Sequence, residues 1–126
     1  MKTALPFIVF LVLSSLLYGQ TNFQKLKSEY DSLIKSTNYG HNPLAGKYYT
    51  IRGFKMYCEV YGTGEPLLMI HGNGGSIHDF VKQIPYFSKR YKVVVADSRA
   101  QGKSVDKNDS LTYEMMADDY AALLNA

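Results

Sequence analysis

With 126 residues, 46% of them hydrophobic and 20% charged, the chain has room for one small domain. A formal charge of +3 is too small to point to nucleic acid or an anionic membrane as a partner. Cys58 is the single cysteine, so no internal disulfide is open to the chain, and its strand-like surroundings suit a small buried hydrophobe.

Lys2 precedes a mostly apolar run from Ala4 to Tyr18, interrupted by Pro6 and Ser14-Ser15. A charged start, a short apolar core and the Tyr18-Gly19-Gln20 exit read as a secretory signal peptide over residues 1–19, cleaved near Gly19. The run covers 15 residues, short of the roughly 20 that span a bilayer; an uncleaved anchor is the alternative. This reading predicts a secreted or periplasmic protein of 107 residues, with no stable membrane association after cleavage.

Residues 20–46 read as a leader helix and linker. Phe23, Leu26, Tyr30, Leu33 and Ile34 recur at helical spacing, and the turn formers of "TNYGHNPLAG" end the segment. His41 falls in that loop as a surface histidine, since no metal-binding spacing accompanies it. "KYYTI" and "FKMYCEVY" then predict two strands joined by a tight turn at Arg52-Gly53. In the second strand Met56, Cys58 and Val60 face the core, while Lys55, Tyr57, Glu59 and Tyr61 face water, as near a sheet edge. "LLMI" (67–70) is a continuous apolar run, expected of a strand covered on both faces. Ile77, Phe80, Val81, Ile84 and Phe87 predict a helix that Pro85 distorts or ends early. "YKVVVAD" (91–97) is a second buried strand, followed by a polar loop. A last helix carries Tyr113, Met116, Ala117, Tyr120, Leu123 and Leu124 on one stripe, with Thr112 as its cap and Glu114 near its positive end. The order predicts an α/β protein whose mostly parallel sheet carries an antiparallel amino-terminal hairpin.

Two stretches carry chemistry. His71-Gly72-Asn73-Gly74-Gly75 ends a buried strand, where open α/β sheets bind ligands and glycines expose backbone N–H groups to an anion. A dinucleotide turn, an oxyanion loop and a turn without chemistry are the three readings. Gly72, Gly74 and a later Asp97 fit the first, but Ile77 stands where its third glycine belongs, and a hairpin precedes the strand. The second stretch, "DSRAQGKS" (97–104), decides between them.

Together the two stretches resemble the α/β-hydrolase family, whose pattern runs G-x-P, apolar strand, H-G-x-G, helix, apolar strand and D-x-R-G-x-G-x-S. Gly64, Pro66, His71, Gly72 and Gly74 match the first part; Asp97, Arg99, Gly102 and Ser104 match the second, with Ala100 in place of a glycine. The resemblance covers residues 47–126 and implies an incomplete α/β-hydrolase fold. It implies that the backbone N–H groups of Asn73 and Gly74 are oxyanion donors, with His71, Gly72 and Gly75 supporting the loop. Asp97, Arg99, Gly102 and Ser104 would form a structural turn, and His78 would sit at the rim. The family's serine nucleophile, acid and base come later in the chain, and no G-x-S-x-G occurs in these 126 residues. The expectation is an inactive amino-terminal fragment, cut before the nucleophile strand, of a hydrolase that cleaves ester, amide or related acyl bonds in small molecules or peptides. The "LLMI" strand would then have an open edge. No cofactor, metal or nucleic acid is implied; the alternative is a non-catalytic binding protein of the same fold.

Overall fold

The computed structural model describes residues 4–107 and 110–126, with side chains from residue 16 onward. Two compact units result, residues 1–36 and 37–126. The first is a single helix, α1 (Ala4–Ser36), which runs without a break through Gly19. Lys2, the charged start of the expected signal peptide, lies outside the described residues, as do the side chains of its apolar core. Phe23 and Leu26 are exposed, while Tyr30, Leu33 and Ile34 are partly buried. No helix among the described residues is long and apolar enough to cross a membrane.

In the second unit β1 (Gly46–Ile51) and β2 (Phe54–Tyr61) form the predicted hairpin. Its two-residue turn puts Arg52 at φ 43° and Gly53 at φ 91°, the double left-handed geometry that matches strand twist. Next come β3 (Glu65–Met69), a short 3₁₀ turn (Ile77–Phe80), α2 (Gln83–Phe87), β4 (Tyr91–Ala96) and α3 (Tyr113–Leu124). The sheet order is β1-β2-β4-β3, with β3 and β4 parallel and the other pairs antiparallel. Helices cover both faces. On one, Ile51, Phe54, Met56, Cys58 and Ala96 pack with Tyr120 and Leu123 of α3; on the other, Tyr57, Met69, Val93 and Val95 pack with Ile77 and Ile84. Burial pushes the Cys58 thiol up to about 12.

Four expectations need correcting. First, β2 lies one strand in from the edge, between β1 and β4, but the face expected to be wet is largely covered: Tyr57 and Glu59 are buried, and Lys55 alone in the strand is exposed. Second, β3 has the open edge expected of the "LLMI" strand, but it stops at Met69 and its two faces are not fully covered. Leu67 and Leu68 are half-buried and Ile70 is 54% exposed, because the strand has a neighbour on one side alone. Third, the helix after the glycines is split at Val81-Lys82, upstream of Pro85. Proline brings no N–H to a continuing ladder, and here it falls inside the first turn of α2, where none is needed. Fourth, the buried stripe of α3 is rotated: Asp119, Tyr120 and Leu123 are buried, whereas Tyr113 and Leu124 are exposed. Thr112 caps α3, its Oγ1 accepting from the Met115 N–H at 3.1 Å.

Candidate active site at the carboxyl edge of the sheet

The chains leaving β3 and β4 run side by side, bringing His71–Gly75 against Asp97–Ser104. Asp97, 2% exposed, is the hub. Its Oδ1 accepts from the Ile77 N–H at 2.9 Å and its Oδ2 from the Lys103 N–H at 2.8 Å, so one carboxylate closes both turns. Ser104, fully buried, donates to the Asp97 carbonyl at 2.6 Å and accepts from the Tyr57 N–H at 2.8 Å. A hydroxyl so engaged and fully buried ties the turn to β2 and is out of reach of a substrate. Gly102, at φ 52°, lies against the Asp97 carboxylate, which a Cβ there would run into.

His71 fastens the two turns to each other. Its Nε2 accepts from the Ser98 N–H at 2.9 Å, so the ring proton sits on Nδ1 and is donated to the Gly72 carbonyl at 2.8 Å. Both ring nitrogens are thus engaged by backbone, which leaves neither for proton transfer. The following turn closes through the Gly75 N–H and Gly72 carbonyl at 3.0 Å. Gly75 packs so tightly on the Asp79 carboxylate that a side chain would displace it. Gly74 adopts φ 76°, where other residues are strained.

The two backbone N–H groups named as oxyanion donors differ in their surroundings. The Gly74 N–H already donates to the Oε1 of Gln101 at 2.6 Å. The Asn73 N–H has no acceptor among the described residues, and Asn73 is an exposed residue. Asn73 and Gln101 border a cleft of about 340 Å³ whose walls include Ile70, His71, Tyr113 and Tyr120. The arrangement puts an unengaged donor on a residue that lines an apolar cleft, chemistry suited to an oxygen that gains negative charge.

Arg99, 3% exposed, braces the site from behind. Its Nε and Nη2 donate to the two Asp119 oxygens at 2.7 Å each, its Nη1 donates to Asp106 at 2.7 Å, and its guanidinium lies 4.1 Å from the centre of the Phe54 ring. The bonds to Asp119 hold it protonated beyond its already high ordinary pKa. Arg52 reaches the same Asp119 at 3.2 Å, linking the β1–β2 turn to α3. Sequence reasoning singled out Arg99 but missed Asp119 and Gln101. The pair Asp118-Asp119 reads as a solvated helix face, and Gln101 occupies an unrestricted motif position; only the arginine's need for a buried counter-charge could have pointed to Asp119. His41 and His78, distant in sequence, place their rings 5.1 Å apart. Among the described residues no group of three or more metal-ligating side chains comes together.

Ala100 departs from the family pattern in a way the backbone registers: its φ is 58°. A non-glycine residue there costs about 1–2 kcal/mol, partly offset by the extra entropy a glycine loses on folding, about 0.5–1 kcal/mol. Ala100→Gly should therefore raise stability by about 0.5–1 kcal/mol, read as a higher urea midpoint at unchanged slope.

A hairpin leading into a mixed sheet, two turns cross-braced at its carboxyl edge and helices on both faces define part of an α/β-hydrolase sheet. A family model described as alpha/beta hydrolase fold matches residues 65–126. A curated relative, (E)-2-((N-methylformamido)methylene)succinate hydrolase of Acinetobacter baylyi, is 46% identical over 43 residues, 34% of this chain and 16% of that protein. Among solved structures, an epoxide hydrolase superposes with a TM-score of 0.61 at 26% identity, over 64% of this chain and 28% of the other. An N-formylmaleamic acid deformylase of Pseudomonas putida S16 gives 0.59 at 28%, over 64% and 32%. The chain carries part of an α/β-hydrolase fold, and it spans about a third or less of the length of these relatives.

Proposed function

We propose that this chain is the amino-terminal part of a secreted α/β-hydrolase that cleaves ester, amide or related acyl bonds with a serine nucleophile. The observation that carries the reading is the unengaged N–H of Asn73, a residue lining an apolar cleft, on a turn braced by the hydrogen bonds of His71 and Asp97. Donors fixed before reaction stabilise a tetrahedral oxyanion without reorganisation, the largest single contribution in acyl transfer. Two relatives named as an N-methylformamido-substrate hydrolase and a deformylase favour the amide end of that range, on small molecules.

Residues 1–126 supply the oxyanion loop and its scaffold. The nucleophile, acid and base belong to sequence that follows, in the order the family uses. The 126-residue chain alone is accordingly inactive. Fluorophosphonate, which labels activated serines, distinguishes the possibilities when applied to the isolated chain and to the native product recovered from its source. Label on a serine of a longer native product, with none on the isolated chain, supports the reading. A longer product that folds but takes no label would point to a non-catalytic binding protein, and label on Ser104 would contradict the assignment outright.

A further inference from the structure

Resting on the reading of His71–Gly75 as an oxyanion loop, the inference concerns which groups supply its donors. The Gly74 N–H cannot serve as it stands, because the Gln101 carbonyl oxygen holds it at 2.6 Å. That bond fixes the side-chain amide the other way round as well. An N–H can be met only by the oxygen, so the NH₂ end of Gln101 must point away from Gly74. Among the described residues that NH₂ has no acceptor, and Gln101 lines the cleft beside Asn73. The turn that delivers it is well defined: the Gln101 N–H donates to the Ser98 carbonyl at 3.0 Å, the Gln101 carbonyl accepts from Ser104 at 3.0 Å, and Ala100 holds the left-handed conformation between.

We propose that the Gln101 side chain is itself a donor of the oxyanion site: its carbonyl occupies the Gly74 N–H, and its NH₂ takes that group's place facing the cleft beside the Asn73 N–H. A side-chain amide is a competent donor to a developing oxyanion. The arrangement also couples the two motifs, since the donor from the β4 turn is aimed by the backbone of the β3 turn.

The test uses the full 126-residue chain labelled with ¹⁵N, and phenylacetate as probe: its carboxylate stands in for the oxyanion and its ring suits the apolar cleft. Phenylacetate should shift the Asn73 amide and the Gln101 NH₂ resonances while leaving the Gly74 amide in place. In the free protein the Gly74 amide should exchange with solvent at least about tenfold more slowly than that of Asn73. In Gln101→Leu that protection should disappear, and Gly74 should now respond to phenylacetate. If Gly74 moves in the wild-type chain and the Gln101 NH₂ does not, the proposal is overturned while the oxyanion-loop reading survives. If none of the three responds, both fall. Gly74 exchanging as freely as Asn73 in the wild type overturns the proposal by itself, whether or not the leucine variant folds.

Discussion

Glu59→Gln lowers the unfolding free energy by about 2–4 kcal/mol, although it changes neither volume nor shape. Glu59 is wholly buried, and each of its oxygens accepts one backbone N–H and one tyrosine hydroxyl. Oε1 takes Asn42 N–H at 2.9 Å and Tyr57 at 2.8 Å; Oε2 takes Gly40 N–H at 2.8 Å and Tyr61 at 2.7 Å. Whichever way a glutamine amide is turned, its NH₂ confronts one of the two backbone N–H groups. A tyrosine hydroxyl can rotate and accept instead, but a backbone N–H cannot. One charge-assisted bond is therefore lost and a donor faces a donor. Urea unfolding measures the loss, and amide exchange shows where it falls: Gly40 or Asn42 should lose protection before the sheet does. A change below about 0.5 kcal/mol would mean that the 38–42 loop is not tied to β2 by this carboxylate. The same contact raises the Tyr57 and Tyr61 hydroxyl pKa values, burial being the larger cause and the bond to Glu59 the next.

The second large effect is at Arg99. Arg99→Leu leaves Asp119, with 1% of its side chain exposed, facing one longer contact to Arg52, and removes the Arg99–Asp106 ion pair. Removing one member of a buried pair typically costs about 3–5 kcal/mol, most of it from the stranded charge. Replacing both members, Arg99→Leu with Asp119→Leu, should recover much of that loss, because the uncompensated carboxylate goes too. The double-mutant cycle read by urea midpoints therefore separates a stranded charge from lost packing on Phe54. Equal losses in the single and double variants would assign the effect to packing.

The hairpin, the two apolar strands and the capped last helix were legible because local chemistry dictates them: alternation, β-branched runs, turn formers and a cap. The two motifs were legible as well, since Gly74, Gly75 and Gly102 stand where a side chain meets positive φ or a neighbouring carboxylate. Other features escaped for one common reason. Polarity in a sequence reports which side chains prefer water, yet Glu59 and Asp119 are buried because Gly40, Asn42 and Arg99, far along the chain, help replace that water. No periodicity encodes those partners. The covering of faces was harder to read: alternation in β2 suggests one wet face, yet Tyr57 and Glu59 on that face are buried. Within the site, Gln101 was invisible because its bond to Gly74 depends on the conformation of two turns 27 positions apart in the chain.

The most direct measurement is to read the transcript beyond codon 126 in its native context. Within some 25 codons an apolar strand followed by G-x-S-x-G is expected, with an acidic residue and a histidine further on. A long open frame encoding the next strand with another residue at the nucleophile position would contradict the proposed hydrolysis while leaving the fold assignment untouched.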